Sequence, residues 1–230
     1  MDEAQINALE LTLSSERFGR YLSWAEGDRA RAIHLYTMNC RLSESLYTPL
    51  HMLEVALRNR IHDVASTLVA GNKLAWFDLA QFQRGDRQAE QLAKAKSDLT
   101  SDRKPVEPSR IVASLTFGYW TSFFSRDYEN LWQQGLHRIA RRPNGKGLQR
   151  KDFAQPLMPL RLLRNRIAHH EPIIGWDLPK HYDKIIELAE WLSPAGAQWC
   201  RDNSRFPALY PVEGIALFDG VNSPTPVPHS

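Results

Sequence analysis

The sequence is poor in cysteine and contains no long apolar run. Its two cysteines, Cys40 and Cys200, are too few for a disulfide framework, and no Cys-x-x-Cys or Cys-His spacing indicates structural zinc. No apolar stretch approaches the roughly 18 residues that cross a bilayer, and acids stand where a signal peptide would carry basic residues. We therefore expect a cytoplasmic protein with no membrane segment, in which both cysteines are small buried apolar residues.

The net charge is also small. Among 230 residues, 29 Lys and Arg stand against 26 Asp and Glu, a net charge of +3, so any contact with nucleic acid must come from a local basic patch. With 43% hydrophobic and 24% charged residues, the composition excludes a largely disordered chain. The length is sufficient for one sizeable core or two small ones.

Proline is scarce in the first hundred residues, where only Pro49 occurs. In that region one apolar stripe, with steps of three and four residues, predicts a long helix over about residues 44–69. A cap at Ser43 or Ser45 would place Pro49 in the first turn, where proline is tolerated. The stripe consists of Leu46, Leu50, Leu53, Leu57, Ile61, Val64 and Leu68.

Other segments also have a helical apolar period, and none alternates as a strand would. Helices are predicted over residues 15–26, 28–38, 87–100, 109–125, 128–140, 152–171 and 178–192. Five of the fourteen prolines follow Arg205, which predicts an irregular arm that packs at first and is loose from Asn222. The expected fold is all-α, with a single bundle of about seven or eight helices over residues 1–205 and a Pro-rich C-terminal arm over residues 206–230.

One local echo stands out, LRNRIHD at residues 57–63 and LRNRIAHHE at residues 163–171. Both copies fall in predicted helices, where the Leu and Ile four residues apart would face the core and leave the Arg-Asn-Arg on the flanks. Two such helices packed side by side would bring two polar clusters into one cleft.

The second copy contains the chemistry of a phosphodiester-cleaving site. Arg164, Asn165 and His169 lie near one end of a helix and can converge on one small anion. An imidazole exchanges protons near neutral pH, a guanidinium stabilises charge on phosphoryl oxygens, and an amide orients the phosphate or the imidazole. This trio suits transfer from an RNA 2′-hydroxyl and requires no metal or other cofactor.

These residues carry a family resemblance. RNRIAHHEP resembles the Arg-x4-6-His signature of the HEPN superfamily (higher eukaryotes and prokaryotes nucleotide-binding) in its Arg-Asn-x-x-x-His form. The order LYTPLHMLEVALRNRIHD, LTFGYWTSFF and MPLRLLRNRIAHHEPII is similar to the Abi-like proteins of bacterial abortive-infection systems, over about residues 15–195. The resemblance implies an all-helical, often dimeric protein that acts in antiphage defence or as a toxin, in many members as a metal-independent endoribonuclease.

Site residues follow from the resemblance position by position. It implies that His169 transfers protons, Arg164 clamps the phosphate, and Asn165 orients the groups. The supporting residues are Glu54 and Arg58, which match a recurrent Glu-x-x-x-Arg on the earlier helix, together with Arg166 and His170. Either His169 or His170 satisfies the loose spacing, so the choice of imidazole stays open.

A homodimer is expected from the count of catalytic groups. One Arg-His pair supplies one general acid or base, whereas cleavage to a cyclic phosphate uses two proton transfers. Two-fold symmetry would add a second copy of residues 164–170, facing the first. The expected partners are therefore a second chain and RNA, either tRNA or mRNA, with a cognate inhibitor or antitoxin if the protein is a toxin.

A basic stretch precedes the motif helix and contains no acid between residues 136 and 151. Its cations are Arg138, Arg141, Arg142, Lys146, Arg150 and Lys151. They are predicted either to follow an RNA backbone or to form a solvated loop.

Less specific interpretations stay open beside the nuclease. Arg164 would pair with Glu171 or Glu54 if the motif is only a polar helix end, and Glu54 and Arg58 would form an intrahelical ion pair. A metal phosphohydrolase would use His62 and Asp63 with His169, His170, Glu171 and Asp183. The aromatics of residues 117–124 are expected to pack in a core rather than stack on bases. The alternative function is a catalytically silent module that binds RNA, a nucleotide or a protein.

Overall fold

Helices and their connections make up the computed structural model, which describes residues 2–218 and contains no strand in that range. The α-helices are α1 (Glu3–Leu13), α2 (Ser15–Trp24), α3 (Arg29–Leu68), α4 (Asp86–Ser101), α5 (Pro108–Ser114), α6 (Phe117–Ser122), α7 (Glu129–Gln134), α8 (Arg150–Ala168), α9 (Leu178–Leu192), α10 (Pro194–Asn203) and α11 (Phe206–Leu209). Four 3₁₀ helices lie over Trp76–Asp78, Ala80–Phe82, Arg126–Tyr128 and Leu136–Ile139. The all-α prediction is confirmed.

Helix α3 runs for 40 residues where the sequence analysis expected two helices. Pro49 lies well inside it, and neither Ser43 nor Ser45 caps a helix there. An interior proline costs roughly 3 kcal/mol because it removes one backbone donor and crowds the preceding turn. The apolar stripe nevertheless continues without a break through Leu42 and Leu46, both at most 1% exposed, so burial on both sides of the proline outweighs that cost.

Two other predicted helices are interrupted. The apolar stretch 109–125 divides into α5 and α6 because the Thr116 hydroxyl accepts a hydrogen bond from the amide of Tyr119 and begins a new helix. The segment 128–140 breaks at Gly135, which ends α7 with φ of 158°. A Cβ at that position would lie 2.6 Å from Cδ2 of Leu68.

Helices α1 and α10 were not predicted, although both begin at recognisable caps. The Asp2 carboxylate accepts from the amide of Gln5, whose side chain in turn accepts from the amide of Asp2, and this forms a capping box. The Ser193 hydroxyl accepts from the amide of Gly196, with Pro194 in the first turn of α10. The Ser-Pro pair therefore begins a helix as well as ending α9.

The chain forms two compact units, each assembled from separate segments. The first unit contains the residues up to 46, residues 166–179 and the residues from 205 onward. The second unit contains residues 47–165 and 180–204. The predicted boundary between a domain over 1–205 and an arm over 206–230 stays a prediction.

The second unit has an aromatic core. Trp76 lies 5.3 Å from Phe82 and 5.9 Å from Phe123 between ring centroids, which is the spacing of edge-to-face pairs. The aromatics of residues 117–124 are all buried, as predicted, and so serve packing. They are Phe117, Tyr119, Trp120, Phe123 and Phe124.

In the first unit, the ring centroid of Tyr21 lies 5.6 Å from that of Trp24 and 5.4 Å from that of Tyr36. Residues 211–218 follow α11 as an irregular segment, and the amide of Phe218 donates to the carbonyl oxygen of Trp24. The rest of the predicted arm, including its loose part from Asn222, lies outside the described residues.

Cys200 is buried, as expected. Cys40 is exposed, so the prediction that it is buried was wrong; its place on α3 faces away from the buried stripe.

No helix among residues 2–218 is long and apolar enough to cross a membrane.

Candidate functional site

Helix α8 ends inside the candidate motif. The amide of His170 donates to the carbonyl oxygen of Ile167 at 3.1 Å, and the amide of Glu171 donates to that of Arg166 at 2.8 Å. Together with the left-handed φ of 58° at His170, these two bonds form a Schellman motif. His169 and His170 therefore lie in the turn after Ala168 and not in the helix, where the sequence analysis had placed them.

The boundary between the two units falls between Asn165 and Arg166. Arg164 and Asn165 belong to the second unit, and Arg166, His169 and His170 belong to the first.

In the second unit, Arg164 pairs with the earlier helix. Its Nε lies 3.4 Å from Oε2 of Glu54 on α3, and the two side chains are 38% and 20% exposed. Asn165 is exposed. The pairing brings together one predicted catalytic residue and one predicted supporting residue, and it is also the contact expected of a polar helix end. This ion pair engages Nε of the guanidinium, whose other four N–H donors are carried by Nη1 and Nη2.

Arg58 has a different environment from the one predicted. No ion pair with Glu54 is found among the described residues, since that carboxylate faces Arg164 instead. The Nε atom of Arg58 is buried and lacks a hydrogen-bond partner within residues 2–218. A buried donor without an acceptor costs free energy, so this Nε destabilises the fold slightly.

In the first unit, Arg166 holds the chain that follows the motif. Its Nε donates to the carbonyl oxygen of Pro172 at 3.1 Å, its Nη1 lies 3.3 Å from Oε2 of Glu171, and its guanidinium lies 5.5 Å from the ring centroid of Trp176. These contacts engage Nε, Nη1 and the face of the guanidinium. Arg166 therefore has a structural task that the sequence did not predict.

The motif turn is held at two further points. The Arg17 guanidinium donates to the carbonyl oxygen of His170 at 3.2 Å. The buried side chain of Asn39 accepts hydrogen bonds from the amides of Ile173 and Ile174, at 2.7 and 3.3 Å. Sequence reasoning missed Asn39, although an amide side chain in the buried stripe of α3 is a signal that could have found it.

The sequence echo has a partial counterpart in structure. In the first copy, Nε of Arg60 donates to the carbonyl oxygen of Ile139 at 2.8 Å. In the second copy, Nε of Arg166 donates to the carbonyl oxygen of Pro172. The last arginine of each copy thus donates a hydrogen bond to a backbone carbonyl oxygen in a segment outside its own helix.

Two cations of the basic stretch are engaged by acids. Arg150 pairs with Glu129 at 2.7 Å and donates to the carbonyl oxygen of Phe124. Hydrogen bonds from Gln133 and Arg150 lower the pKa of Glu129 and so keep it negatively charged. Arg142 pairs with Asp152 at 3.0 Å.

The other four cations of the stretch are exposed. Arg138 donates weakly to the carbonyl oxygen of Gly135 at 3.3 Å, and within residues 2–218 no ion pair forms at Arg141, Lys146 or Lys151. The six predicted RNA-binding residues therefore divide into paired and unpaired sets.

The residues of the metal alternative are not gathered. Nδ1 of His62 accepts a hydrogen bond from Nε1 of Trp76 at 2.9 Å. Across residues 2–218, no group of three or more His, Cys, Asp or Glu side chains is placed to hold a metal ion.

Comparison with known proteins identifies a family. No curated protein and no solved structure matches the chain. Residues 13–175, which are most of the chain and include both copies of the echo, match the profile of the Abi-like protein family. The chain therefore belongs to the Abi-like protein family.

Proposed function

We propose that this Abi-like protein is a metal-independent endoribonuclease of an antiphage abortive-infection or toxin system, with the Arg-Asn-x-x-x-His motif of the HEPN superfamily as its site. The observation that carries the proposal is the pairing of Arg164 with Glu54, which holds a half-exposed guanidinium at the start of the motif. Asn165 and His169 follow within five residues and are both exposed, as groups that meet a substrate must be.

The proposed chemistry is an internal transfer. The imidazole of His169 takes the proton of a 2′-hydroxyl, whose oxygen attacks the adjacent phosphorus, or gives a proton to the departing 5′-oxygen. The bond from phosphorus to that 5′-oxygen breaks, leaving a cyclic phosphate and a 5′-hydroxyl. Arg164 stabilises the charge that builds on the phosphoryl oxygens, and Asn165 orients the phosphate or the imidazole.

The two proton transfers require two acid-base groups. A single chain supplies one of them at this motif, so the proposal includes a homodimer in which the second copy supplies the other. The substrate we propose is tRNA or mRNA in the cytoplasm, and a toxin of this kind needs a cognate inhibitor.

The test is cleavage of total RNA in the presence of EDTA. Wild type should cut, and His169→Ala and Arg164→Ala should each lose at least 100-fold in rate, in line with the loss of one acid-base or charge-stabilising group. Arg161→Ala, which removes a charge one turn earlier on α8, is the matched control and should keep the wild-type rate. Equal RNA patterns for wild type and His169→Ala would refute the nuclease.

The second candidate is a catalytically silent binding module. It is favoured by the same ion pair, because an arginine satisfied by Glu54 is what a structural helix end would show. The module predicts that RNA binds equally well to wild type and His169→Ala and is recovered intact from both.

A further inference from the structure

The connection between the 3₁₀ helix Leu136–Ile139 and helix α8 is held by one arginine. Arg142 pairs with Asp152 at 3.0 Å, stacks at 5.0 Å from the ring centroid of Trp191, and donates to the carbonyl oxygen of Gly147 at 3.4 Å. A cation over a tryptophan face and an ion pair together hold a guanidinium far better than either does alone. Arg142 thus links both sides of the connection to helix α9.

Backbone hydrogen bonds complete this ordering. The amide of Arg141 donates to the carbonyl oxygen of Trp191 at 2.9 Å, and the amide of Gly145 donates to that of Arg142 at 3.0 Å across a turn. The Asp152 carboxylate also accepts from the amide of Gln149 at 2.8 Å, which ties the end of the connection to the first turn of α8. Residues 141–149 are therefore a shaped loop despite their lack of helix.

The acids around this loop are already occupied. Asp152 faces Arg142, Glu129 faces Arg150, and Glu190 near the end of α9 faces Arg201 at 2.9 Å. Within residues 141–151, three exposed cations have no ion pair with a described residue, namely Arg141, Lys146 and Lys151. A rigid support that presents unpaired cations needs little reorganisation to bind an anion.

We propose that Arg141, Lys146 and Lys151 bind the phosphate backbone of a nucleic-acid strand, and that Arg142 is the positioning residue that holds the loop in its binding shape. The assignment of the strand as RNA rests on the proposed function. Residues 141–149 include no aromatic side chain, and Arg142 covers one face of the neighbouring Trp191 on α9. Without a stacking surface the contacts are to phosphates and do not depend on base sequence.

Lys151, two residues after the loop, and the motif arginine both lie on helix α8. Lys151 and Arg164 are thirteen residues apart on α8, about 20 Å at 1.5 Å per residue. A stacked strand that rises about 3.4 Å per nucleotide covers this distance with roughly six nucleotides. The loop should therefore increase kcat/KM only for strands longer than this, because a shorter strand cannot contact the loop and Arg164 together.

The binding test uses full-length His169→Ala, so that RNA is not consumed. Fluorescence anisotropy with a 12-nucleotide uridine RNA measures Kd from 50 to 300 mM NaCl, with and without Arg141→Gln, Lys146→Gln and Lys151→Gln together. The slope of log Kd against log salt should fall by about 2, because each lost contact to a single strand removes about 0.7. A slope equal to that of a charge-matched control, Lys73→Gln with Arg87→Gln and Arg126→Gln, would overturn the proposal.

Two further arms identify the ligand and the role of Arg142. DNA of matching sequence should show the same loss of slope, and a loss seen only with RNA would overturn a pure phosphate contact. Arg142→Lys keeps the charge but cannot reproduce the stacked, forked contact, so it should weaken binding at least 3-fold with the slope unchanged and expose the Arg141 amide to hydrogen exchange. Unchanged affinity in Arg142→Lys would refute the positioning role.

The experiments can refute the loop proposal and the nuclease proposal separately. The loop assignment is read from binding in a variant that does not cleave, whereas the nuclease is read from cleavage by the wild type. In the wild type, the triple variant should lower kcat/KM for a 12-nucleotide substrate and leave that for a 4-nucleotide substrate unchanged.

Discussion

Nε of Arg164 and Oε2 of Glu54 lie 3.4 Å apart, which joins the last turns of α8 to the middle of α3 through two residues of the candidate site. The pair is partly exposed, so solvent screening limits what it adds to stability. The ion pair orients the guanidinium of Arg164. Loss of the pair should therefore reduce activity much more than it reduces stability.

Replacement of Glu54 by Gln tests this separation. We expect a loss of less than about 1 kcal/mol in the free energy of unfolding. We expect a roughly 10- to 100-fold loss in RNA cleavage, because small displacements of a catalytic group cost that much. Glu44→Gln is the control, since Glu44 also lies 3.4 Å from an arginine, Arg205, but in a fully exposed pair. Stronger RNA cleavage in Glu54→Gln would mean that Glu54 competes with phosphate.

His170 can be tested through its backbone. Its φ of 58° costs a side-chain-bearing residue roughly 1 kcal/mol that glycine does not pay. His170→Gly should therefore raise the free energy of unfolding by about 0.5–1 kcal/mol, and His170→Val should lower it by more than 1 kcal/mol, as measured by urea denaturation. If His169 is the proton-transfer residue, His170→Gly keeps cleaving RNA. A loss of cleavage in this more stable variant would move the chemistry to His170.

Asn39 is expected to support the motif turn. Asn39→Ala leaves the amides of Ile173 and Ile174 without their acceptor in a buried place, which should cost about 1–3 kcal/mol of unfolding free energy. Asn59→Ala removes an exposed amide from the same helix and should change stability by less than about 0.5 kcal/mol. Equal stabilities of the two variants would show that solvent replaces Asn39 as the acceptor.

Two buried tyrosines should respond in opposite ways to loss of the hydroxyl. Tyr119 has no hydrogen-bond partner for its hydroxyl within the described range, whereas the hydroxyl of Tyr128 donates to the carbonyl oxygen of Phe82 and accepts from the amide of Arg84. Tyr119→Phe should leave the free energy of unfolding unchanged or raise it by up to about 1 kcal/mol. Tyr128→Phe should lower it by about 1–3 kcal/mol.

The same tyrosines predict alkaline sensitivity. Burial raises the pKa of Tyr119, and burial also raises that of Tyr128, so both phenols stay protonated in the folded state at pH values where they ionise in the unfolded state. The contribution of the two protonated phenols to the free energy of unfolding is complete below about pH 10 and is lost as the pH rises above that value. Tyr119→Phe should remove about 1.4 kcal/mol per pH unit from that decline. An unchanged decline between pH 10 and 11 would contradict the assignment.

Much of the fold followed from periodicity, because a helix with one buried face needs only local sequence to reveal it. Helices α2, α4 and α9 lie close to the segments predicted for them. The division of α3 into two was wrong because the cost of Pro49 was considered without the apolar stripe on both sides of it. The break at Gly135 was missed because its cause includes the side chain of Leu68, far away in sequence.

Candidate site residues were harder to separate by role. Composition grouped six cations between residues 136 and 151, but only contacts with Glu129, Asp152 and Trp191 distinguish the structural arginines from the free ones. Likewise, the partners of Arg166 all lie within ten residues of it, but only the turn after α8 brings Glu171, the backbone of Pro172 and Trp176 to its side chain. A motif gives residue types, and the roles depend on tertiary partners.

The bond from the amide of Ile173 to Asn39 joins positions 134 residues apart, so it cannot form until long after Asn39 has been synthesised. A ribosome that adds about 5–20 residues per second takes roughly 7–27 s to travel from one partner to the other. Throughout that interval the amide oxygen of Asn39 is solvated by water, and the turn that carries His169 and His170 has not been made. A nascent chain therefore lacks the bond that supports its finished motif turn until residue 173 has been synthesised.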